Sequence, residues 1–298
     1  MRNLDGFYDG RERYVIDMNN RDNLKEIFQD TEKWCKENKT LVSAIQRTRA
    51  QTKVYPAGSA PDFSVSAAET KTEITVTDNR TFAAAMGLVQ ENPGKKVVVH
   101  NFASATKPGG GVTNGSNAQE ECLCRCSTLY PVLNSKQLWD SFYQFHRNRR
   151  DARYTDTCIY SPGILIIKSD TNAPQRLPEE KWCQVDVITC AAPNLRPRPN
   201  NAMNPGNDAA VRVTDKELLE LHKKRAWHMF CAAAANGADI LVLGAFGCGV
   251  FQNNPEVVAR AYKETIAEFP VKFEKIEFAV YCTPSDTRNF EVFRRVLR

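Results

Sequence analysis

Two adjacent carboxylates, Glu120 and Glu121, stand shortly after three consecutive glycines, Gly109, Gly110 and Gly111. Such glycines let the backbone approach a ligand without a Cβ clash. Their N–H groups can form an anion-binding nest, helped by the positive end of a following helix, so the pattern points to a phosphate-rich ligand. A lone Gly-Gly-Gly would read first as a flexible loop tip. Here it follows the buried-type strand Val97–Phe102, at the carboxyl end where open α/β sheets place ligands, and that favours a site. Consecutive helical residues point about 100° apart, so the two glutamates do not read as an opposed acid/base pair across one bond. One does chemistry while its neighbour binds. A carboxyl packed against sugar and an apolar wall can hold a proton at neutral pH and deliver it to a leaving oxygen. Without the glycine loop, a solvated Glu-Glu on a surface helix would be the better reading.

A second loop, residues 244–251, has glycines at 244, 247 and 249 and also runs from a strand to a helix, which opens with Pro255. The unpaired N–H groups of that helix could receive a diphosphate. The loop lacks the Gly-Lys-Ser/Thr of a Walker loop and is no G-x-G-x-x-G fingerprint. Phe251 beside it either stacks on a base or ribose or packs under the helix. Two such loops at two strand ends make a coherent cleft.

The elements that must hold these loops alternate as in an α/β protein. Strands are expected over Glu73–Thr77, Val97–Phe102, Gly163–Lys168, Val185–Cys190, Asp239–Gly244 and Ile276–Tyr281. Apolar spacing predicts helices from Asp22 to Asn38, over Leu41–Ala50, Thr81–Gln90, Ala118–Tyr130 and Pro255–Phe269, and from a Thr214–Glu217 capping box to Asn236. The Pro- and Asn-rich stretch Asn194–Val213 is an irregular loop that could border a site. The basic run Arg147–Arg150 is a solvated face that would add affinity near a polyanion.

The composition is that of an ordinary globular protein, with 298 residues, 42% of them hydrophobic, and a net charge of +5 that is too weak to argue nucleic-acid binding. No apolar run approaches the roughly 18 residues of a membrane helix, and no secretory stretch opens the chain, so a cytoplasmic, intracellular protein is expected. The ten cysteines read mostly as reduced core residues, and the Cys122–Cys126 cluster lacks zinc-ribbon spacing. His100, His146, His222 and His228 show no ligand spacing and are assigned no catalytic role, and no G-x-S-x-G elbow is present.

Gly109–Gly111, a seven-residue spacer and Gln119-Glu120-Glu121, set between Asn101-Phe-Ala-Ser-Ala105 and Cys124-Arg-Cys-Ser-Thr-Leu-Tyr-Pro131, resemble the signature of microbial-type poly(ADP-ribose) glycohydrolases. The resemblance extends to Arg21 and Thr31, Thr189–Asn194, the 244–251 loop, and Phe278–Tyr281 with Asn289 and Phe293, covering roughly residues 20–298. It implies a macrodomain, a mixed sheet between helices, over 71–298, preceded by a helical accessory segment over 21–70 and a polar extension over 1–20. It also implies hydrolysis of the ribose–ribose O-glycosidic bonds of poly(ADP-ribose), releasing ADP-ribose.

By the same resemblance Glu121 is the general acid and Glu120 positions the ribose that becomes the leaving group. Gln119 belongs to the substrate site. Asn101, Gly109, Gly110 and Gly111 contact the distal ribose, and Gly247, Cys248, Gly249 and Val250 hold the diphosphate. Phe251 meets the ribose or adenine. Neither metal nor cofactor is required. A mono-ADP-ribosyl hydrolase acting on protein or nucleic acid, and a non-catalytic ADP-ribose-binding module, share this pocket as alternatives. Cys124 and Cys126 depart from the family pattern and read as tolerated small side chains.

Overall fold

The computed structural model describes residues 10–59, 61–63, 71–201, 205 and 209–298, with side chains from Asn20 onward. Seven strands form one sheet in the order β1-β4-β5-β3-β6-β7-β2. These are β1 (Lys53–Tyr55), β2 (Glu73–Thr77), β3 (Val97–Phe102), β4 (Cys158–Ile166), β5 (Cys183–Cys190), β6 (Ile240–Leu243) and β7 (Lys275–Ala279). β5, β3, β6, β7 and β2 pair in parallel, β4 alone runs against them, and β1, antiparallel to β4, points the same way as the five. The sheet is therefore mixed, and six carboxyl ends share one edge.

Both faces are covered, which is why the central strands are apolar without alternation. Val97 and Val99 of β3 and Ile240 and Val242 of β6 enter one core, while Val98, Leu241 and Leu243 enter the other. On the first face lie α1 (Gly10–Glu37), α2 (Lys39–Gln51), α3 (Thr81–Glu91), α4 (Gln119–Cys126) and α5 (Leu129–Leu133). There too α6 (Lys136–Leu138) passes through a π turn (Trp139–Tyr143) into α7 (Gln144–Arg149). The second face carries α8 (Asp215–Ala235), α9 (Pro255–Glu268) and α10 (Arg288–Val296). The Thr214 capping box opens α8 as its sequence predicts.

Several elements differ from expectation. The helix expected from Ala118 to Tyr130 ends at Cys126, because Ser127 turns extended (φ −150°, ψ −179°) and bridges Ile166. α1 starts at Gly10 rather than Asp22, so part of the stretch read as a polar extension is helical backbone, and residues 1–9 lie outside the described residues. The Asn194–Val213 stretch falls partly outside them as well, and its described part contains no helix.

α1 and α2 are fastened to the rest of the fold. Thr31 Oγ1 donates to Arg125 O at 2.6 Å, and the buried Lys168 ammonium donates to Ile27 O at 2.7 Å and pairs with Asp30 at 2.8 Å. β1 then adds the chain to the sheet edge beside β4. No helix among the described residues is long and apolar enough to cross a membrane.

Candidate active site

A cleft of about 940 Å³ opens at the shared carboxyl edge of the parallel strands. The loops after β3 and β6 form its two walls, α4 enters between them, and the segment after β7 closes one end. Gly110 sits where the first wall meets α4. It has a φ of +55°, and a Cβ there would stand 2.6 Å from Glu121 Oε1 and 3.2 Å from Glu120 Oε2. Only glycine fits this turn without displacing a carboxylate. Both carboxylates converge on it despite their angular separation on α4.

Each glutamate is held differently. Glu120 is 3% exposed, accepts the Ser104 N–H at Oε2 (2.7 Å) and the Asn101 amide at Oε1 (3.3 Å), and takes a further backbone bond from Gly109. Glu121 is 7% exposed and accepts the Gly111 N–H at Oε1 (2.9 Å), while its Oε2 is buried with no protein partner. Burial pushes the Glu121 carboxyl above its usual range despite the Gly111 N–H. Burial, and then the charge of Glu121, pushes Glu120 up as well. Two neighbouring buried carboxyls of this kind retain a proton. Of the four carboxylate oxygens, Glu121 Oε2 is the buried one with no hydrogen-bond partner.

The remaining predicted residues divide into wall and support. Gly110, Gly111, Gln119, Gly247, Gly249, Val250 and Phe251 line the cleft with both glutamates. Gln119 is spent on structure, accepting the Phe102 N–H (2.9 Å) and donating to His100 O (2.8 Å). Asn101 is fully buried behind Glu120, bonded also to Thr189 Oγ1 at 3.2 Å, so it supports the carboxylate and stands off the wall. Gly109 (φ +64°) and Cys248 also lie behind the lining. Gly247 (φ +76°) packs against Ala192 and Asn253, and the Asn253 amide, which donates to Gly247 O, Phe251 O and Pro193 O, fixes the second loop.

His100 and His222 are core residues. The His100 ring packs 4.4 Å from Phe246, and burial pushes its pKa down to about 3. His222 Nε2 lies 2.8 Å from Asn253 Oδ1, and burial likewise brings it to about 3. Cys124 and Cys126 are fully buried in the core under α4. Between them the buried Arg125 donates to Asn117 Oδ1 at 2.6 Å, tying α4 to the loop that carries Gly115.

Sequence reasoning did not find several wall residues. Arg80 comes from the end of β2, Asp170 from beyond β4, Arg196 from beyond β5 and Tyr281 from beyond β7. The Arg80 guanidinium lies 4.1 Å from the Tyr281 ring centroid and 3.8 Å from Asp170 Oδ1. No spacing links residues drawn from four strand ends. Only the fold assembles them.

A mixed sheet between helices, with two glycine loops and paired buried carboxylates at one edge, defines a macrodomain-like hydrolase. The family model for the microbial-type PARG catalytic domain matches residues 23–169. The poly(ADP-ribose) glycohydrolase of Thermomonospora curvata superposes with a TM-score of 0.78 at 30% identity, covering 92% of this chain and 98% of that one. Its complex with the inhibitor ADP-HPD gives a TM-score of 0.73 at 31% identity over 91% and 98% of the two chains. The Deinococcus radiodurans enzyme in complex with ADP-ribose gives 0.68 at 33% identity, over 85% of this chain and 96% of that one. No functionally curated protein matches the sequence. The chain belongs to the microbial-type poly(ADP-ribose) glycohydrolases.

Proposed function

We propose that Glu121 is the general acid that cleaves the terminal ribose–ribose bond of poly(ADP-ribose). The observation that carries this is its Oε2, which has no protein partner, on a carboxyl held by Gly111 N–H against Gly110 between the two loops. ADP-ribose and ADP-HPD occupy the Deinococcus and Thermomonospora enzymes, and the cleft here suits the same class of ligand.

In this reading the diphosphate lies along the Gly247–Val250 backbone, Phe251 packs against the sugar, and the distal ribose sits on Gly110 and Gly111. Glu121 passes its proton to the glycosidic oxygen, the C1″–O bond breaks, and the anomeric carbon takes oxocarbenium character. The leaving group is the 2′-hydroxyl of the preceding ribose, oriented by Glu120. The Glu121 carboxylate then takes a proton from the water that attacks C1″. Products are ADP-ribose and a polymer shorter by one unit, and the acid is restored. Asn101 and Ser104 support Glu120. The proposed setting is the cytoplasm, where the ten free thiols of this chain suit a reducing medium.

Glu121→Gln keeps the Gly111 bond and removes only the proton. It is expected to slow ADP-ribose release from polymer by about 10²–10⁴-fold, with ADP-ribose affinity by calorimetry unchanged within about twofold. Release at the wild-type rate would discard the assignment. Polymer and mono-ADP-ribosylated peptide compared side by side test the substrate, with release expected from polymer.

A further inference from the structure

The segment from the π turn through α7 to Tyr154 is used by nothing above, yet it adjoins both glycine loops. Arg147 Nε donates at 2.7 Å to Thr106 O, at the start of the Gly109–Gly111 loop, and its guanidinium lies 4.7 Å from the Trp139 ring centroid. The Tyr154 ring lies 6.3 Å from that of Phe251 on the other loop, and Asn194 N–H donates to Ala152 O at 2.8 Å. Across 139–153 the chain carries four arginines, at 147, 149, 150 and 153, against two carboxylates: Asp140, which Lys136 pairs at 2.5 Å, and Asp151, which Arg153 holds at 2.8 Å. Phe145 is 39% exposed, with the Arg149 guanidinium 5.7 Å from its ring centroid. π turns inside helices are frequent at functional sites.

Position decides what this face could hold. The acid stands at Gly110 and Gly111, so the polymer behind the terminal unit must leave the cleft beside that loop. One flank is closed, because α1 packs so tightly on Gly115 that a Cβ there would collide with Arg21 O. The start of that loop, at Thr106, is bonded by Arg147 of this segment. We propose that the arginine and aromatic face over residues 139–153 is a docking surface for the poly(ADP-ribose) chain behind the scissile bond. This rests on the glycohydrolase reading above. Every such unit presents a diphosphate to guanidinium groups and an adenine to rings, the pairing by which single-stranded polyanions are bound.

The test compares long polymer with the two-unit fragment, using Arg149→Gln/Arg150→Asn. Asn tolerates the left-handed φ of +55° at position 150. Lys33→Gln/Lys39→Gln removes the same charge elsewhere and serves as the control. On long polymer at low salt the arginine variant is expected to raise KM about fivefold and flatten its salt dependence, with kcat unchanged. On the two-unit fragment its kcat/KM should stay closer to wild type. An equal effect on both substrates, or the same loss in the lysine control, would overturn the surface. If the wild-type chain releases ADP-ribose from neither substrate, the glycohydrolase reading is what fails. The surface is then judged by anisotropy of labelled polymer, where affinity about fivefold weaker in the variant supports it and unchanged affinity overturns it. Single-stranded DNA of matched charge that competes as well as polymer would overturn the assigned occupant.

Discussion

Burial raises the Glu121 carboxyl above its ordinary range, and the same burial works against the fold. A carboxyl whose folded pKa is raised contributes stability that is complete below its unfolded pKa and is lost as pH rises through the folded one. Burial raises Glu121 above the ordinary value of 4.5, so the wild-type chain should lose stability upward from there. A glutamine at this position carries no such proton. Melting curves of Glu121→Gln and wild type are therefore expected to coincide near and below pH 4.5 and to separate at higher pH, with the variant melting higher. A variant melting lower at every pH would show that the carboxylate is satisfied in the fold and is no proton reservoir. Glu120 is the wrong place for this experiment. Both its oxygens already accept N–H groups, and a glutamine there would turn one N–H donor against another.

Among the elements, β3 and β6 are legible in the sequence because strands buried on both faces must be apolar throughout, and the loops at their ends follow from them. The glutamate pair is legible through its glycine loop. That Asn101 faces Glu120 from behind is not, since it depends on which face of β3 each residue takes. α4 is overread because its break is made by tertiary contacts: the Thr128 N–H donates to Leu165 O at 3.0 Å, and the Ile167 N–H donates to Cys126 O at 2.8 Å. The π turn likewise spoils the apolar period of α6 and α7. On the buried face of α8 another element-level lock is equally invisible in sequence. His228 Nδ1 lies 2.7 Å from Asp156 O and Nε2 3.1 Å from Ser59 O, with Asp156 Oδ2 at 3.4 Å from Nδ1. Burial lowers the His228 pKa, but its bonds to Asp156 outweigh this and raise it. Burial raises Asp156, and His228 with backbone N–H groups and Lys224 holds it well below the usual carboxylate range. The histidine's contribution is full below its unfolded value of 6.5 and fades as pH rises through the folded pKa. Urea unfolding of His228→Gln is expected to show a loss of about 1–2 kcal/mol at mildly acid pH that shrinks in alkali. A loss that grew with pH would contradict the charged pair.

At the scale of the molecule, α1 meets the sheet and its loops at the cleft, so its docking is a condition of the cleft's shape. α1 supplies the flank against Gly115, and an ion pair to the buried Lys168 ammonium helps to hold it there. Lys168 is buried between Ile27 O and the Asp30 carboxylate, and Asp30 is shared with Arg176. The bond from Arg176, followed by Lys168, holds Asp30 down at about 2 against the opposing effect of burial. A depressed carboxyl stabilises above its unfolded pKa and loses that contribution as pH falls through the folded one, so this latch is complete at neutral pH and fails only toward pH 2. Asp30→Asn leaves a buried ammonium with a carbonyl but no carboxylate. The Asp30 side chain is itself 41% exposed, so solvent screens part of the effect. The cost therefore belongs at the low end for such pairs, about 2 kcal/mol. The loss should appear first as faster amide exchange in α1 and α2, then as a raised KM for polymer, with kcat little changed. Exchange that quickened equally across β3 and β6 would mean that the latch supports the whole fold rather than the flank of the cleft.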